Sequence, residues 1–348
     1  MSKILIIGAG TMGAAFSIPC LDNNHDVNIV GTHLEDNFID ELKKNDNCHP
    51  SLRIKIPKAI NLFKSNDLKN ISKSKLDLIV LAISSKGITW SAEQLSLLAS
   101  NDDLPPILLL TKGLNIFQNN FEILANKLKR LLKEKGIEKV SISAIGGPCL
   151  AAGLANKINT NVVVVNENIS IARDISILFK TNYYHLAFSD DMIGVETCAA
   201  IKNIYAIAIG ASKGVCGVKL SKDSIDNNHL NTAAALVKQS ISEMIFFIEK
   251  IKGKKETVLG LAGIGDLYVS ADGGRNSKMG SHLGDGLTYS DAKKTKMKNT
   301  TVEGADLIFQ IGKKVKEDFS DKQLPLMIAT INSILDDKKL EINWKNFY

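Results

Sequence analysis

Short, unbroken apolar runs alternate with helical periodicity through the first half of the chain. Ile4–Ile7, Val27–Val30, Leu76–Ile83, Ile107–Leu110, Val140–Ala144 and Val162–Val165 read as strands. Their apolar residues follow one another instead of alternating, which predicts strands buried on both faces. Helices are predicted between strands, notably at Gly13–Asn23 and Asn119–Lys135. Strands separated by helices make βαβ units and a largely parallel sheet. Beyond about Asp190 the texture becomes helical. Gly194–Ala211 is nearly all apolar, and Asn231–Lys250 is a long, alanine-rich amphipathic stretch. Shorter helices are predicted at Lys278–Gly284, Ser290–Lys296, Thr301–Glu317 and Gln323–Leu335, with Gly253, Gly273, Gly274 and Pro325 among the breaks. The pattern therefore predicts an α/β domain over residues 1–189 and an all-α domain over 190–348.

A length of 348 residues accommodates two such domains, each with its own core. The net charge of +6 is spread thinly, and runs such as Lys252–Lys255 and Lys293–Lys298 are interleaved with other residues. That argues against the concentrated basic face of a nucleic-acid binder and suits a small anionic substrate. The five cysteines, Cys20, Cys48, Cys149, Cys198 and Cys216, are odd in number and form no CxxC pair. Free thiols in a reducing compartment are expected. The six histidines show no HxxxH or HExxH spacing, so no metal site is expected. After Met-Ser-Lys only four apolar residues precede Gly8, too few for a signal peptide, and no run approaches the ~18 of a membrane span. The expected location is the cytoplasm, without membrane insertion.

Gly8-Ala-Gly-Thr-Met-Gly13 follows the first predicted strand and opens a helix. In that setting Gly8 permits the tight turn, Gly10 lets backbone approach a pyrophosphate, and Gly13 allows close helix–strand packing. Donors at the helix N-terminus meet the phosphates, so a dinucleotide site is predicted. The second strand ends Val30-Gly31-Thr32-His33, with no carboxylate at its end, although Glu35 and Asp36 follow. Thr32 and His33 leave room for a 2′-phosphate, but no arginine is present to grip it. The expectation is NAD(P), leaning to NADPH.

The apolar helix carries an unexpected lysine. Lys202 is flanked by Ala200, Ile201 and Ile204, and burying an ammonium without a partner is expensive. Desolvation favours the neutral amine and so eases proton donation. The competing reading is a lysine that snorkels from the helix edge to water. Glu196 and Asn203, seven residues apart, share a face and could orient neighbouring groups. Thr111-Lys112-Gly113 and the glycine loop Ile145-Gly-Gly-Pro-Cys-Leu150 both follow strand ends, which border the ligand crevice in doubly wound sheets. Late in the chain, Gly260-Leu-Ala-Gly-Ile-Gly-Asp266 leads to Gly273-Gly-Arg-Asn276. Arginine offers a planar donor fork, and the adjacent amide adds to its match with phosphate oxygens.

These motifs carry a family resemblance. GAGTMG, TKG, GGPCLA, GVETCAAIKN, NTAAAL with SEM, GLAGIGDL with GGRN, and Val302-Glu-Gly304 occur in this order between Ile4 and about Pro325. The chain thereby resembles the NAD(P)-dependent sn-glycerol-3-phosphate dehydrogenase family. The first motif is generic, whereas AAIKN followed by GDL and GGRN is specific. The resemblance implies a Rossmann-like N-terminal domain and an all-α C-terminal domain of the 6-phosphogluconate-dehydrogenase type. It implies that Lys202 is catalytic and that Lys112 lies near both cofactor and substrate. Asp266, Arg275 and Asn276 match substrate-binding positions, with Gly147, Cys149, Asn203 and Ser270 assigned to the same pocket. Thr11, Met12, His33, Ala151 and Glu303 match cofactor contacts, joined by Arg275, Thr32 and the fingerprint glycines. The implied reaction interconverts dihydroxyacetone phosphate and glycerol 3-phosphate for glycerophospholipid synthesis, and a homodimer is the default assembly.

The chain also departs from that family pattern. Cys149 stands where serine or asparagine is common, Gly153 where glutamate is usual, Gln239 for an arginine and Met12 for a tryptophan. Two other readings therefore stay open. One is a reductase of another phosphorylated ketone or of a ketopantoate-type or 3-hydroxyacid-type oxo acid. The other is a cofactor-sensing protein with a decayed site.

Overall fold

The structure, a computed structural model, describes residues 1–71, 75–99, 103–215 and 229–347. The chain separates into two compact units, one of Met1–Lys112 with Ile123–Met192, the other of Gly113–Glu122 with Ile193–Tyr348. Cys20, Cys48, Cys149 and Cys198 are free thiols, and Cys216 lies outside the described residues.

The first unit is built on an eight-stranded sheet. Its strands are β1 (Lys3–Ile7), β2 (Asp26–Val30), β3 (Asn61–Phe63), β4 (Leu78–Leu81), β5 (Ile107–Leu109), β6 (Ile142–Gly146), β7 (Thr160–Val165) and β8 (Tyr184–Ser189). They lie in the order β8-β7-β6-β5-β4-β1-β2-β3. Neighbours from β3 to β6 pair in parallel, β6 and β7 pair antiparallel, and β7 and β8 are again parallel to each other. Consecutive residues of β1, β4 and β5 are buried, as expected of strands covered on both faces. Helix α1 (Thr11–Asp22) packs with Ala151–Ala155 and Ile169–Phe179, while Ile88–Leu98 packs with Leu124–Lys133. Phe16 of α1 meets Phe179 and Tyr184 at centroid distances of 4.8 and 6.3 Å. In register, Ile7 lies opposite Val30 and Leu81, so these three strands end at one level.

The helix expected over Asn119–Lys135 starts later. Leu114–Phe117 and Asn120–Ile123 form a hairpin, and the helix runs from Leu124 to Lys133. Gln118 and Asn119, with φ of +47° and +61°, form its two-residue turn. Two left-handed residues in succession suit a hairpin turn and interrupt a helix. Phe121 is drawn against Phe247, 5.1 Å between centroids, so the hairpin belongs to the helical unit. The short β3 and the largely unburied β8 carry little of the apolar signal that marks the other strands.

The second unit centres on α2 (Met192–Gly210). This helix has the length and mean hydropathy, 1.4, of a membrane span, yet 89% of that window is buried. An all-round apolar helix is what a core position demands. The helices around it are α3 (Leu230–Lys250), α4 (Arg275–Gly284), α5 (Glu303–Asp318) and α6 (Pro325–Leu335). Backbone meets backbone between α2 and α4. A Cβ on Gly280 would stand 1.8 Å from the Ile207 carbonyl oxygen, and one on Gly210 2.2 Å from that of Ser277. Gly284 is pressed against Ala211 in the same way, with 2.4 Å to its oxygen. No side chain other than hydrogen fits these points.

Glu243 of α3 ties three helices together. It is 1% exposed and accepts the Leu326 and Met327 N–H groups at the start of α6, at 2.7 and 2.9 Å. Gln239 donates to it at 2.9 Å and the Tyr205 hydroxyl of α2 at 3.3 Å. The departure at Gln239 therefore sits in this buried cluster. Burial pushes the Glu243 carboxyl up from 4.5 to about 7 against those hydrogen bonds. The folded protein thus holds a proton that the unfolded chain releases near 4.5. The associated stability is complete below that pH and is lost as pH rises through about 7. On the order of 3 kcal/mol should disappear across this window, from a shift of this size. Denaturant unfolding at a series of pH values should show that loss in the parent chain and a flatter profile in Glu243→Gln. Identical slopes would remove Glu243 as the source.

Candidate active site

The carboxyl ends of β1, β2, β4, β5 and β6 carry the cluster expected at the rim of the sheet. After β1, Gly8 takes a φ of +110°, and a Cβ there would lie 2.4 Å from the Ala82 oxygen. A Cβ on Gly13 would reach 2.0 Å from the Gly8 oxygen. The turn is thus closed on itself and on β4, and α1 begins at Thr11 with no side-chain cap from Gly10. Uncapped N–H groups at a helix start are an anion site. Thr11 is exposed and Met12 half-buried beside them. These residues fit the pyrophosphate of a dinucleotide.

At the end of β2 the structure corrects the picture of an uncharged strand terminus. Glu35 folds back, and its carboxylate accepts the Thr32 N–H at 2.8 Å and the Ala9 N–H at 3.2 Å. An acidic group therefore borders the glycine turn although none ends the strand in sequence. Thr32 is half-buried, and His33 is exposed with its ring 5.1 Å from that of Trp90. After β5, the Thr111 hydroxyl donates to Ile83 at 3.0 Å, fixing the residue before half-buried Lys112. After β6, Gly147 has a φ of +123° and begins the loop to Cys149 and Ala151. Cys149 packs against the core of this unit. A Cβ on Gly153 would meet nothing within 4 Å, so the missing glutamate there reflects no lack of space.

In the helical unit, Lys202 is 5% exposed and does not snorkel. Its ammonium donates to the carboxylate of Asp266, which is 2% exposed. Asp266 opens a short helix directly after the π-helical turn Leu261–Gly265. Within that turn a Cβ on Gly263 would lie 2.0 Å from the Val258 oxygen, so glycine lets the segment close down. Ser270, half-buried, follows one helical turn after Asp266.

Asn203, the residue after Lys202, is engaged by Asn276. Its side-chain oxygen accepts from Asn276 at 3.0 Å, and the Asn276 oxygen accepts the Gly304 N–H at 2.9 Å. Asn276 is 6% exposed and stitches α2, α4 and α5 together. Neighbouring Arg275 points outward and pairs with Glu303, the first residue of α5. The helical unit thus joins a buried ammonium–carboxylate pair to an exposed guanidinium through one amide. Glu35, the close contacts of Gly210, Gly280 and Gly284, and the Arg275–Glu303 pair are the elements that residue patterns alone do not reveal. A glutamate three residues beyond the strand-end threonine was the one available hint.

A glycine-cradled dinucleotide turn on a doubly wound sheet, with a lysine-bearing helical unit, defines a nicotinamide-dependent dehydrogenase. Comparison with known proteins narrows the class. The profile described as the NAD-dependent glycerol-3-phosphate dehydrogenase N-terminus matches residues 3–172, and its C-terminus counterpart matches 191–343. A glycerol-3-phosphate dehydrogenase [NAD(P)+] from Clostridium acetobutylicum is 30% identical, over 84% of this chain and 81% of its own. An NADP(+)-dependent glycerol-3-phosphate dehydrogenase from Archaeoglobus fulgidus is 29% identical, over 90% and 91%. The crystal structure of the Coxiella burnetii glycerol-3-phosphate dehydrogenase superposes with a TM-score of 0.79 at 24% identity, covering 99% and 97% of the two chains. The chain belongs to the NAD(P)-dependent glycerol-3-phosphate dehydrogenase family, and its activity is that of the family.

The buried pair has a structural consequence separate from any chemistry. Removing one partner strands a charge in a dry site, at a typical cost of about 3–5 kcal/mol. Asp266→Ala should lower stability by that order, and adding Lys202→Met should restore much of it. Thermal unfolding of both variants tests this, and an unshifted melting temperature in the single variant would contradict the buried pair.

Proposed function

We propose that the chain reduces dihydroxyacetone phosphate at C2 to sn-glycerol 3-phosphate, supplying glycerophospholipid synthesis from the cytoplasm as a homodimer. The observation that supports this reading is the link Asn203–Asn276–Gly304, which ties the helix bearing the buried Lys202–Asp266 pair to the helix start bearing the outward-facing Arg275. When bound, the dinucleotide supplies the hydride. Gly8, Gly10, Thr11, Met12 and Gly13 would hold its pyrophosphate, and Thr32, His33, Ala151 and Glu303 its remaining parts. Lys202 polarises the carbonyl oxygen and gives its proton to the developing alkoxide. Asp266 keeps that ammonium aimed. Arg275 takes the phosphate, so binding energy from an unreacting group holds the carbonyl in place. Lys112, Gly147, Cys149, Asn203, Ser270 and Asn276 complete the proposed substrate surroundings.

The preference between dinucleotides leans to NADPH. Thr32 and His33 leave space for a 2′-phosphate, and the Archaeoglobus relative is NADP(+)-dependent by name. Glu35 opposes that choice, since its carboxylate borders the same turn.

The direct test is oxidation of NADPH and NADH with dihydroxyacetone phosphate, beside unphosphorylated dihydroxyacetone and ketopantoate. Turnover should need the phosphate, and equal rates on ketopantoate would favour the oxo-acid reading. Lys202→Ala should lose about 10²–10⁴-fold in kcat, the usual worth of a positioned acid, while dinucleotide affinity holds. Arg275→Ala should raise KM for the phosphorylated ketone alone. Glu35→Gln should raise the NADPH-to-NADH ratio of kcat/KM several-fold, because one negative charge is withdrawn from the ribose end. An unchanged ratio would take Glu35 out of cofactor selection.

A further inference from the structure

Arg275 and Glu303 occupy the first positions of α4 and α5, helices of 10 and 16 residues. The Asn276 oxygen accepts the Gly304 N–H at 2.9 Å, so the two helix starts are stitched side by side. Neither start has a side-chain cap from its N-cap residue, Gly274 or Val302. Two positive helix ends and a guanidinium therefore converge. The negative charge seated among them is the chain's own Glu303 carboxylate.

We propose that Glu303 is an exchangeable internal anion. It holds the Arg275 guanidinium in the binding position and yields it to the phosphate of the substrate. This rests on the reading of Arg275 as the phosphate clamp. Exposure separates this pair from the catalytic one. The side chains of Arg275 and Glu303 are 56% and 40% exposed, against 6% and 2% for Lys202 and Asp266. An exposed pair is held by a small free energy and opens readily, whereas a buried one does not. Phosphate has the means to win the exchange. It carries more charge than a carboxylate and offers three oxygens to the planar fork. Once displaced, Glu303 still sits on the first turn of α5, where a negative charge remains favoured. The affinity for phosphate is therefore a difference between two anions, and removing the internal one raises it.

Inorganic phosphate, titrated calorimetrically into the full chain without dinucleotide at constant ionic strength, reads the exchange directly. Glu303→Gln should bind phosphate about two- to fivefold more tightly than the parent, the range of an exposed ion pair. Glu303→Asp, which keeps the charge, should stay near the parent. A merely structural role for Glu303 predicts weaker binding in the glutamine variant, and equal or weaker binding overturns the proposal. The gain should also vanish in an Arg275→Lys background, where the fork is absent. A gain of equal size there would mean plain repulsion by Glu303 and would equally overturn it. Arg275→Ala separates the two levels. If it leaves phosphate affinity unchanged, the clamp reading itself fails. If it weakens phosphate while Glu303→Gln changes nothing, only the exchange fails.

Discussion

The site in the helical unit depends on a place where two helices have no side chains between them. Gly280 and Gly284 of α4 press on the carbonyls of Ile207 and Ala211, and Gly210 of α2 presses on Ser277. Four residues before Gly280 lies Asn276, and four before Ile207 lies Asn203, so the next rung of the same ladder is their hydrogen bond. The close approach sets the register, and the register sets which polar groups can meet. A methyl group at Gly280 would open the ladder and separate Asn276 from Asn203 before it touched any reacting group. Gly304 extends the arrangement, since a Cβ there would lie 2.5 Å from the Asn203 oxygen. Packing and chemistry share one set of contacts here.

How much of this was legible in the sequence follows from the kind of signal each residue sends. Lys202 draws notice because an ammonium in an apolar helix must either snorkel to water or find a partner, and the fold leaves it buried and paired. The glycine turn after β1 is legible because its spacing and its strand-to-helix setting are both local. Glu35 is not, because its carboxylate reaches the turn by folding back across residues that separate it from the strand end. The hairpin is hidden for a related reason. Residues 119–123 have helix-compatible periodicity, but two left-handed residues and an aromatic contact with Phe247 override it. Asn276 reads as a ligand amide beside arginine, yet in the folded chain both ends of that amide serve neighbouring helices.

The departures from the family pattern sort by location in a way that the sequence does not display. Gln239 lies in the buried cluster around Glu243, where a neutral amide leaves the carboxyl raised towards neutrality. Gly153 borders open space. Cys149 packs on the sheet's core, at the loop after β6. None of the three alters the Lys202–Asp266 pair or the Arg275 position, and this argues against reading them as signs of a decayed centre.

Burial divides the charged groups of the helical unit into two kinds, which match the tasks proposed for them. Lys202 and Asp266 are dry, and a dry pair keeps its geometry because separating the charges is costly. Arg275 and Glu303 are wet, and a wet pair is remade at little cost. A proton donor needs the first property, since its aim must survive each turnover. A clamp for a ligand that comes and goes needs the second. Asn276 connects the two regimes: its buried amide bonds both Asn203 and Gly304, while the arginine one residue earlier turns outward. Under the proposed roles, the reacting end is held rigid and the binding end is open to exchange, with one hydrogen-bonded side chain marking the boundary.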